Sequence, residues 1–227
     1  MAVDMKKILF IGNSYTFFNN MPEEIFAPIA RSAGYEVEVS SITKGGERLS
    51  NHAKSDSVTG KKIEAALAST AYDAVILQEQ STLPIVDLDT VISAAKALDK
   101  KIKKSGAETF LYATYARKLG HPFLAEHSLT PKAMTERMFA AYNTIGEAIG
   151  AKVSPVVLAF GYIVENYPEI ELYNADKLHP SYVGSALAAM VIFCTVFDET
   201  PDNISFDRGI DPNTLSILKN ATKEALR

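Results

Sequence analysis

Five times along this chain a short β-branched or apolar run gives way to a segment with helical spacing. That alternation restricts the fold more than any other feature. The runs are KKILFIG (6–12), EVEVSSI (36–42), DAVILQ (73–78), ETFLYATY (108–115) and AKVSPVVLA (151–159), each bounded by turn residues and each read as a strand. Helical segments follow. MPEEIFAPIARSAG has Pro22 near its start and Gly34 at its end, and SVTGKKIEAALAST puts Ile63, Ala66 and Leu67 on one face. DLDTVISAAKALDKKIKKSG begins with acids, ends with lysines and stops at Gly106, as the helix dipole favours. TPKAMTERMFAAYNTIGEAIG, HPSYVGSALAAMVIFCTVF and DPNTLSILKNATKEALR complete the set. Strand-helix repetition implies parallel strands joined by right-handed crossovers. The expected fold class is α/β, a three-layer α/β/α arrangement around a parallel sheet of about five strands.

The chain has 227 residues, 47% of them apolar, and shows no internal repeat, low-complexity tract or linker, so one domain over 1–227 is expected. A chain this long buries enough surface to fold without a disulfide or a structural metal. The formal net charge is −4 with no long basic run, which argues against a nucleic-acid partner. Cys194 is the only cysteine, which excludes a disulfide framework or a cysteine-rich metal site within the chain. No apolar stretch reaches the length of a membrane span, and GSALAAMVIFCTVF suits a buried helix. MAVDMKK leads into an apolar run without a signal-peptide cleavage pattern. As given the chain is expected to be cytoplasmic; a leader removed beforehand would make it periplasmic or secreted.

Open parallel sheets bind ligands outside the carboxyl ends of their strands. The first strand delivers Gly12-Asn13-Ser14 there, the second Gly45-Gly46, the third Gln78-Glu79-Gln80-Ser81, the fourth Arg117. The fifth runs into a segment carrying Asp176 and His179. These suit acyl transfer. A serine hydroxyl becomes a nucleophile when a base takes its proton, histidine does so near neutral pH, and a carboxylate fixes the imidazole tautomer. Asp176 and His179 are close enough in sequence for one turn to bring them together. Backbone N–H groups and a side-chain amide at the ends of adjacent strands would hold the oxyanion. Each residue also has an ordinary reading. Gly-Asn-Ser makes simple turns, Gly45-Gly46 permits a tight one, and Gln80 could cap strand-end backbone groups. Glu79 and Glu47 could pair with Arg48 or Arg117 on the surface. Tyr15, Phe17 and Phe18 are expected under the next helix, with Tyr15 near enough to line a pocket. His52, His121 and His127 match no metal spacing, and no glycine-rich phosphate loop follows the first strand, so neither metal nor cofactor is expected.

FIGNSYT near the N-terminus and DKLHPS near the C-terminus together resemble the SGNH (GDSL-like) hydrolase superfamily, whose blocks are a strand ending in Gly-Asp-Ser and a late Asp-x-x-His-Pro. LQEQS, LYATYARK and LHPSYVGSALAA are similar to a bacterial subgroup of it. The resemblance implies a flavodoxin-like fold, Ser14 as nucleophile, His179 as base and Asp176 as its orienting partner. It also implies an oxyanion hole from the N–H groups of Ser14 and Gly46 and the amide of Gln80. Asn13, Tyr15 and Arg117 become candidate pocket residues. Asn13 stands where the family has aspartate, and Gln80, one methylene longer, stands where it has asparagine. The expected activity is removal of a short acyl group such as acetyl from a carbohydrate or other small polar ester. The same triad would also serve a thioesterase or lysophospholipase, and a catalytically degenerate scaffold would bind carbohydrate without turning it over.

Overall fold

A computed structural model describes residues 5–227; residues 1–4, the start of the MAVDMKK stretch searched for a leader, lie outside them. Strands β1 (Lys6–Gly12), β2 (Val37–Thr43), β3 (Ala74–Leu77), β4 (Glu108–Tyr112) and β5 (Lys152–Ser154) form one sheet in the order β2-β1-β3-β4-β5. All pairs are parallel, with Ile11 opposite both Ile42 and Leu77, and Leu77 opposite Leu111. Successive side chains point to opposite faces of a strand, and both faces are covered here. Ile8, Phe10, Ile76, Phe110 and Tyr112 pack on one side; Leu9, Ile11, Val75, Leu77 and Leu111 pack on the other.

The helices divide between those faces. In chain order they include α1 (Ser14–Phe17), α2 (Ala27–Ser32), α3 (Leu49–His52), α4 (Val58–Ser69), α5 (Leu83–Val86), α6 (Leu88–Lys104), α7 (Pro122–Glu126), α8 (Pro131–Ile149), α9 (Val156–Asn166), α10 (Tyr182–Phe197) and α11 (Pro212–Ala225). Met21–Phe26 winds as a π-helix just before α2. Residues of α2, α9, α10 and α11 join the first core; α3, α4, α6 and α8 supply Leu49, Ile63, Leu98 and Met138 to the second. Side-chain caps mark several starts: Asp87 accepts from Thr90 N, Thr130 from Ala133 N, Ser181 from Gly184 N and Asp211 from Thr214 N. No helix among the described residues is long and apolar enough to cross a membrane.

Two strand expectations need correction. AKVSPVVLA is a strand only over Lys152–Ser154, after which Val156 opens α9. Pro155 has no N–H to continue the ladder, and the apolar run beyond it belongs to a helix that buries Val156, Val157, Ala159, Phe160 and Ile163. ETFLYATY stops at Tyr112, because β5 offers no strand residue beyond Ser154 to pair with. The segment 116–131 between β4 and α8 contains the single turn α7.

The start of α10 is packed tightly against the segment before His179. Tyr173 bridges Pro180, the carbonyl of Leu172 accepts from Ser181 N at 2.9 Å, and a Cβ on Gly184 would lie 2.2 Å from that carbonyl oxygen. Gly184→Ala must push α10 away from Leu172. We expect a loss of about 1–3 kcal/mol, the usual cost of overpacking. Urea unfolding checks it; an unchanged urea midpoint would contradict the packing.

Candidate active site

The site lies where β1 and β3 lead the chain to opposite sides of the sheet, the crevice in which open α/β folds bind ligands. β1 ends at Gly12. Asn13 then caps α1 with its side-chain oxygen accepting from Tyr15 N, and Ser14 opens the helix. Ser14 is half-buried, and its hydroxyl donates to His179 Nε2 at 2.9 Å. His179 Nδ1 in turn donates to Asp176 Oδ2 at 2.7 Å. That chain of bonds assigns the tautomer, since the carboxylate needs a donor and leaves Nε2 as the acceptor for the hydroxyl. Asp176 Oδ1 accepts from the N–H groups of Leu178 (3.0 Å) and His179 (2.9 Å). Partial burial raises the Asp176 pKa, but bonds from the His179 ring and these two N–H groups outweigh it, so the carboxyl sits below its ordinary range.

Contacts far apart in sequence hold the two ends of the chain together. Asn19, in a left-handed turn at φ 56°, donates through Nδ2 to Pro180 O, Ser181 O and Ser185 Oγ. The Phe18 ring stacks on the His179 imidazole with centroids 4.1 Å apart and planes within 8°. Phe18 was expected beneath the next helix; instead it is the flat surface that sets the imidazole plane.

β3 serves the site with three consecutive side chains. Gln78 Oε1 accepts from Asn13 N (2.8 Å) and Thr16 Oγ1 (2.9 Å), and its Nε2 donates to Glu79 O. Gly12 makes room for this amide, because a Cβ there would come within 2.5 Å of Gln78 Oε1 and of Thr16 Oγ1. Gln80 Oε1 accepts from Thr82 N, Thr82 Oγ1 and Leu83 N at 3.0–3.1 Å. With its oxygen anchored, Nε2 is left without an acceptor among the described residues. The N–H groups of Ser14 and Gly46 are also unspent there. The three donors follow β1, β2 and β3, which are neighbours in the sheet. Gly46 is exposed and takes φ 67°.

Glu79 and Glu47, expected in surface ion pairs with Arg48 or Arg117, are only 1% and 7% exposed. Glu47 pairs with Lys44 at 2.9 Å, and Glu79 accepts from Leu49 N and Gln80 N without an ion pair among the described residues. Asn13, Tyr15 and Arg117, candidates for the pocket wall, are all buried, at 1%, 3% and 5% exposure. Asn13 spends its side chain on Tyr15 N and Glu47 O. The Arg117 guanidinium donates to Tyr15 Oη and Ser81 Oγ, and burial lowers its pKa to about 10 against the pull of Tyr173 and Asp176. A ligand would reach it only if Tyr15 or Ser81 moved. His52 is fully buried and bonds Gly12 O through Nε2 at 3.0 Å, bracing the end of β1.

This fold and this cluster have clear relatives. No model of a protein family matches the sequence, and no curated protein does. Among solved structures, a protein of Slackia heliotrinireducens assigned to the SGNH hydrolases is 31% identical, covers 85% of this chain and 99% of its own, and superposes with a TM-score of 0.73. A DUF4886 family protein from Bacteroides uniformis is 19% identical, with coverages of 98% and 95% and a TM-score of 0.84. The acetyl xylan esterase AlAXEase is 15% identical, with coverages of 82% and 98% and a TM-score of 0.62. The protein is thus a hydrolase with a three-layer α/β/α fold. The chain belongs to the SGNH hydrolases.

Glu79 gives the site a pH signature in stability. Burial, opposed by the N–H bonds from Gln80 and Leu49 and by Arg48, raises its pKa from 4.5 to about 7. The folded chain therefore keeps a proton that the unfolded chain releases, so the stability from this group is full below 4.5 and is lost as pH rises through about 7. The urea midpoint should fall between pH 5 and pH 8 more in wild type than in Glu79→Gln, which has no titrating proton here. Equal falls would contradict the shift.

Proposed function

We propose that the protein is a serine esterase that removes a short acyl group, such as acetyl, from a carbohydrate or another small polar substrate. One observation carries this reading: the hydrogen-bonded line from Asp176 through His179 to Ser14, closed across 165 residues of sequence. Ser14 Oγ attacks the ester carbonyl while His179 Nε2 takes its proton. Asp176, held ionised, stabilises the imidazolium. The N–H groups of Ser14 and Gly46 and the Gln80 amide serve the oxyanion as the tetrahedral intermediate forms. His179 then protonates the departing alkoxide, the acyl group stays on Ser14, and a water activated by the same imidazole releases it. A polar leaving group fits the rim, where Lys44, Arg48, Asn174 and Lys177 are exposed.

A second reading, a thioesterase or lysophospholipase with the same residues, draws on a mostly apolar cavity of about 450 Å³ lined by Ala116, Leu158, Gly161 and Tyr173. Tyr173 is bridged to Pro180, the neighbour of His179. An ester panel from acetyl to long acyl chains, with acetylated sugars, separates the two. The short-acyl reading expects kcat/KM to peak at acetyl, and a peak at long chains would favour the second. A degenerate, sugar-binding scaffold would turn over none of the panel.

The Gln80 assignment has its own test. Removal of one oxyanion donor costs about 10²–10³ in kcat, so Gln80→Ala should slow turnover to that extent and leave KM nearly unchanged. Gln80→Asn withdraws the amide by a methylene from a backbone already fixed around glutamine and should recover only part of the loss. Wild-type kcat in Gln80→Ala, with Ser14→Ala inactive in the same assay, would remove Gln80 from the oxyanion hole.

A further inference from the structure

We propose that Glu79 is the positioning residue of the oxyanion hole: its Oε1 holds the backbone N–H groups of Gln80 and Leu49 together and thereby fixes the β3 end against the loop that carries Gly46. The inference rests on the esterase reading above and adds to it the part that sets the donors' spacing.

The bonds are direct. Glu79 Oε1 accepts from Gln80 N at 2.5 Å and from Leu49 N at 3.1 Å, and Oε2 accepts from Leu49 N at 3.3 Å. Gln80 carries the side-chain donor, and Leu49 closes the loop that begins at Gly45-Gly46. The same loop is tied on its other flank, where Asn13 Nδ2 donates to Glu47 O at 2.9 Å. One anchor therefore runs from the loop to the nucleophile turn, and the other, through Glu79, to β3. Without the second, no hydrogen bond joins the loop to the Gln80 backbone among the described residues.

Stability alone gives no account of a carboxyl in this place. It is 1% exposed, has no cationic partner within ion-pair distance among the described residues, and loses solvation on burial. What it supplies is an acceptor atom at one position between two N–H groups. Acceptance at Oε1 requires no charge, since a neutral carboxyl or an amide offers the same carbonyl oxygen. The raised pKa of the group is in keeping with that.

Two substitutions separate acceptor position from charge. Glu79→Gln keeps an oxygen at the same reach and removes the charge. Glu79→Asp keeps the charge and withdraws the oxygen by one methylene. We expect Glu79→Gln to stay within about fivefold of wild-type kcat, and Glu79→Asp to lose about 10²-fold, the scale on which a displacement of about 1 Å slows an oriented reaction. KM should stay within about twofold in both, because the donors act on charge that appears in the transition state. Circular dichroism and urea midpoints identify any variant that is merely unfolded; if Glu79→Asp is one, Glu79→Ala, which removes the acceptor outright, takes its place and should lose at least as much kcat while Glu79→Gln does not. Both variants at wild-type kcat, Asp above Gln, or the two equally impaired would each overturn the proposal. These outcomes are read only against a wild-type enzyme that hydrolyses p-nitrophenyl acetate and a Ser14→Ala variant that does not. If wild type fails that control, the esterase reading itself falls, and the two failures are distinguishable.

Discussion

One acceptor atom, Gln78 Oε1, organises the end of β1. By taking the N–H of Asn13 and the hydroxyl of Thr16, it fixes the turn from strand to helix from inside the sheet. Ser14 sits between these two anchored residues and has little freedom of its own. Gly12 supplies the space, and Asn13, 1% exposed, passes the constraint on to Glu47 in the neighbouring loop. An unpaired N–H at this depth would cost about 1–3 kcal/mol, so removing the amide would both destabilise the turn and release the serine. The division of labour along β3 is compact: Gln78 supports the turn that carries Ser14, Glu79 joins the β2 loop to the strand end, and Gln80 presents an amide with its oxygen already anchored.

The opposite wall depends on a different set of contacts. His179 comes from a segment with little regular structure, and three tethers hold it: the bridge from Tyr173 to Pro180, the Asn19 amide on Pro180, Ser181 and Ser185, and the Phe18 ring stacked on the imidazole. Two of these tethers come from the stretch just after Ser14. Residues following Ser14 therefore place His179, and the two ends of the chain meet as one unit. Arg117 lies below this junction, bonded to Tyr15 and Ser81, with Nε left without a partner among the described residues.

The alternation of apolar runs made the sheet, its parallel sense and most of the long helices legible from sequence, because period and turn residues agreed there. The strand-end rule then pointed to Ser14, Gly46, Gln80, Asp176 and His179 as neighbours, and Asp176, His179 and Ser14 do lie within hydrogen-bond distance in series. Helix α9 was missed because apolar residues crowd its sequence and a fully apolar run has no period to read. Asn19, Phe18, Gln78 and Glu79 were missed, or read as surface or packing residues, for another reason. Each acts through a partner distant in sequence, and no local pattern marks a side chain whose role is to accept one N–H from another loop. The Gly-rich turn at β2 and the three polar residues ending a fully buried β3 were the available signals. Asn13, Tyr15 and Arg117, expected at the pocket wall, are sealed in the interior, and strand-end position does not say how deeply a side chain is sealed.

The central claim is that Ser14 is made nucleophilic by His179 and Asp176. Incubation with a fluorophosphonate followed by peptide mass spectrometry tests it most directly. The account predicts a single phosphonylated residue, Ser14, with labelling abolished in His179→Ala and slowed in Asp176→Asn. An unmodified Ser14 in an enzyme that hydrolyses esters, or labelling at undiminished rate without His179, would contradict it.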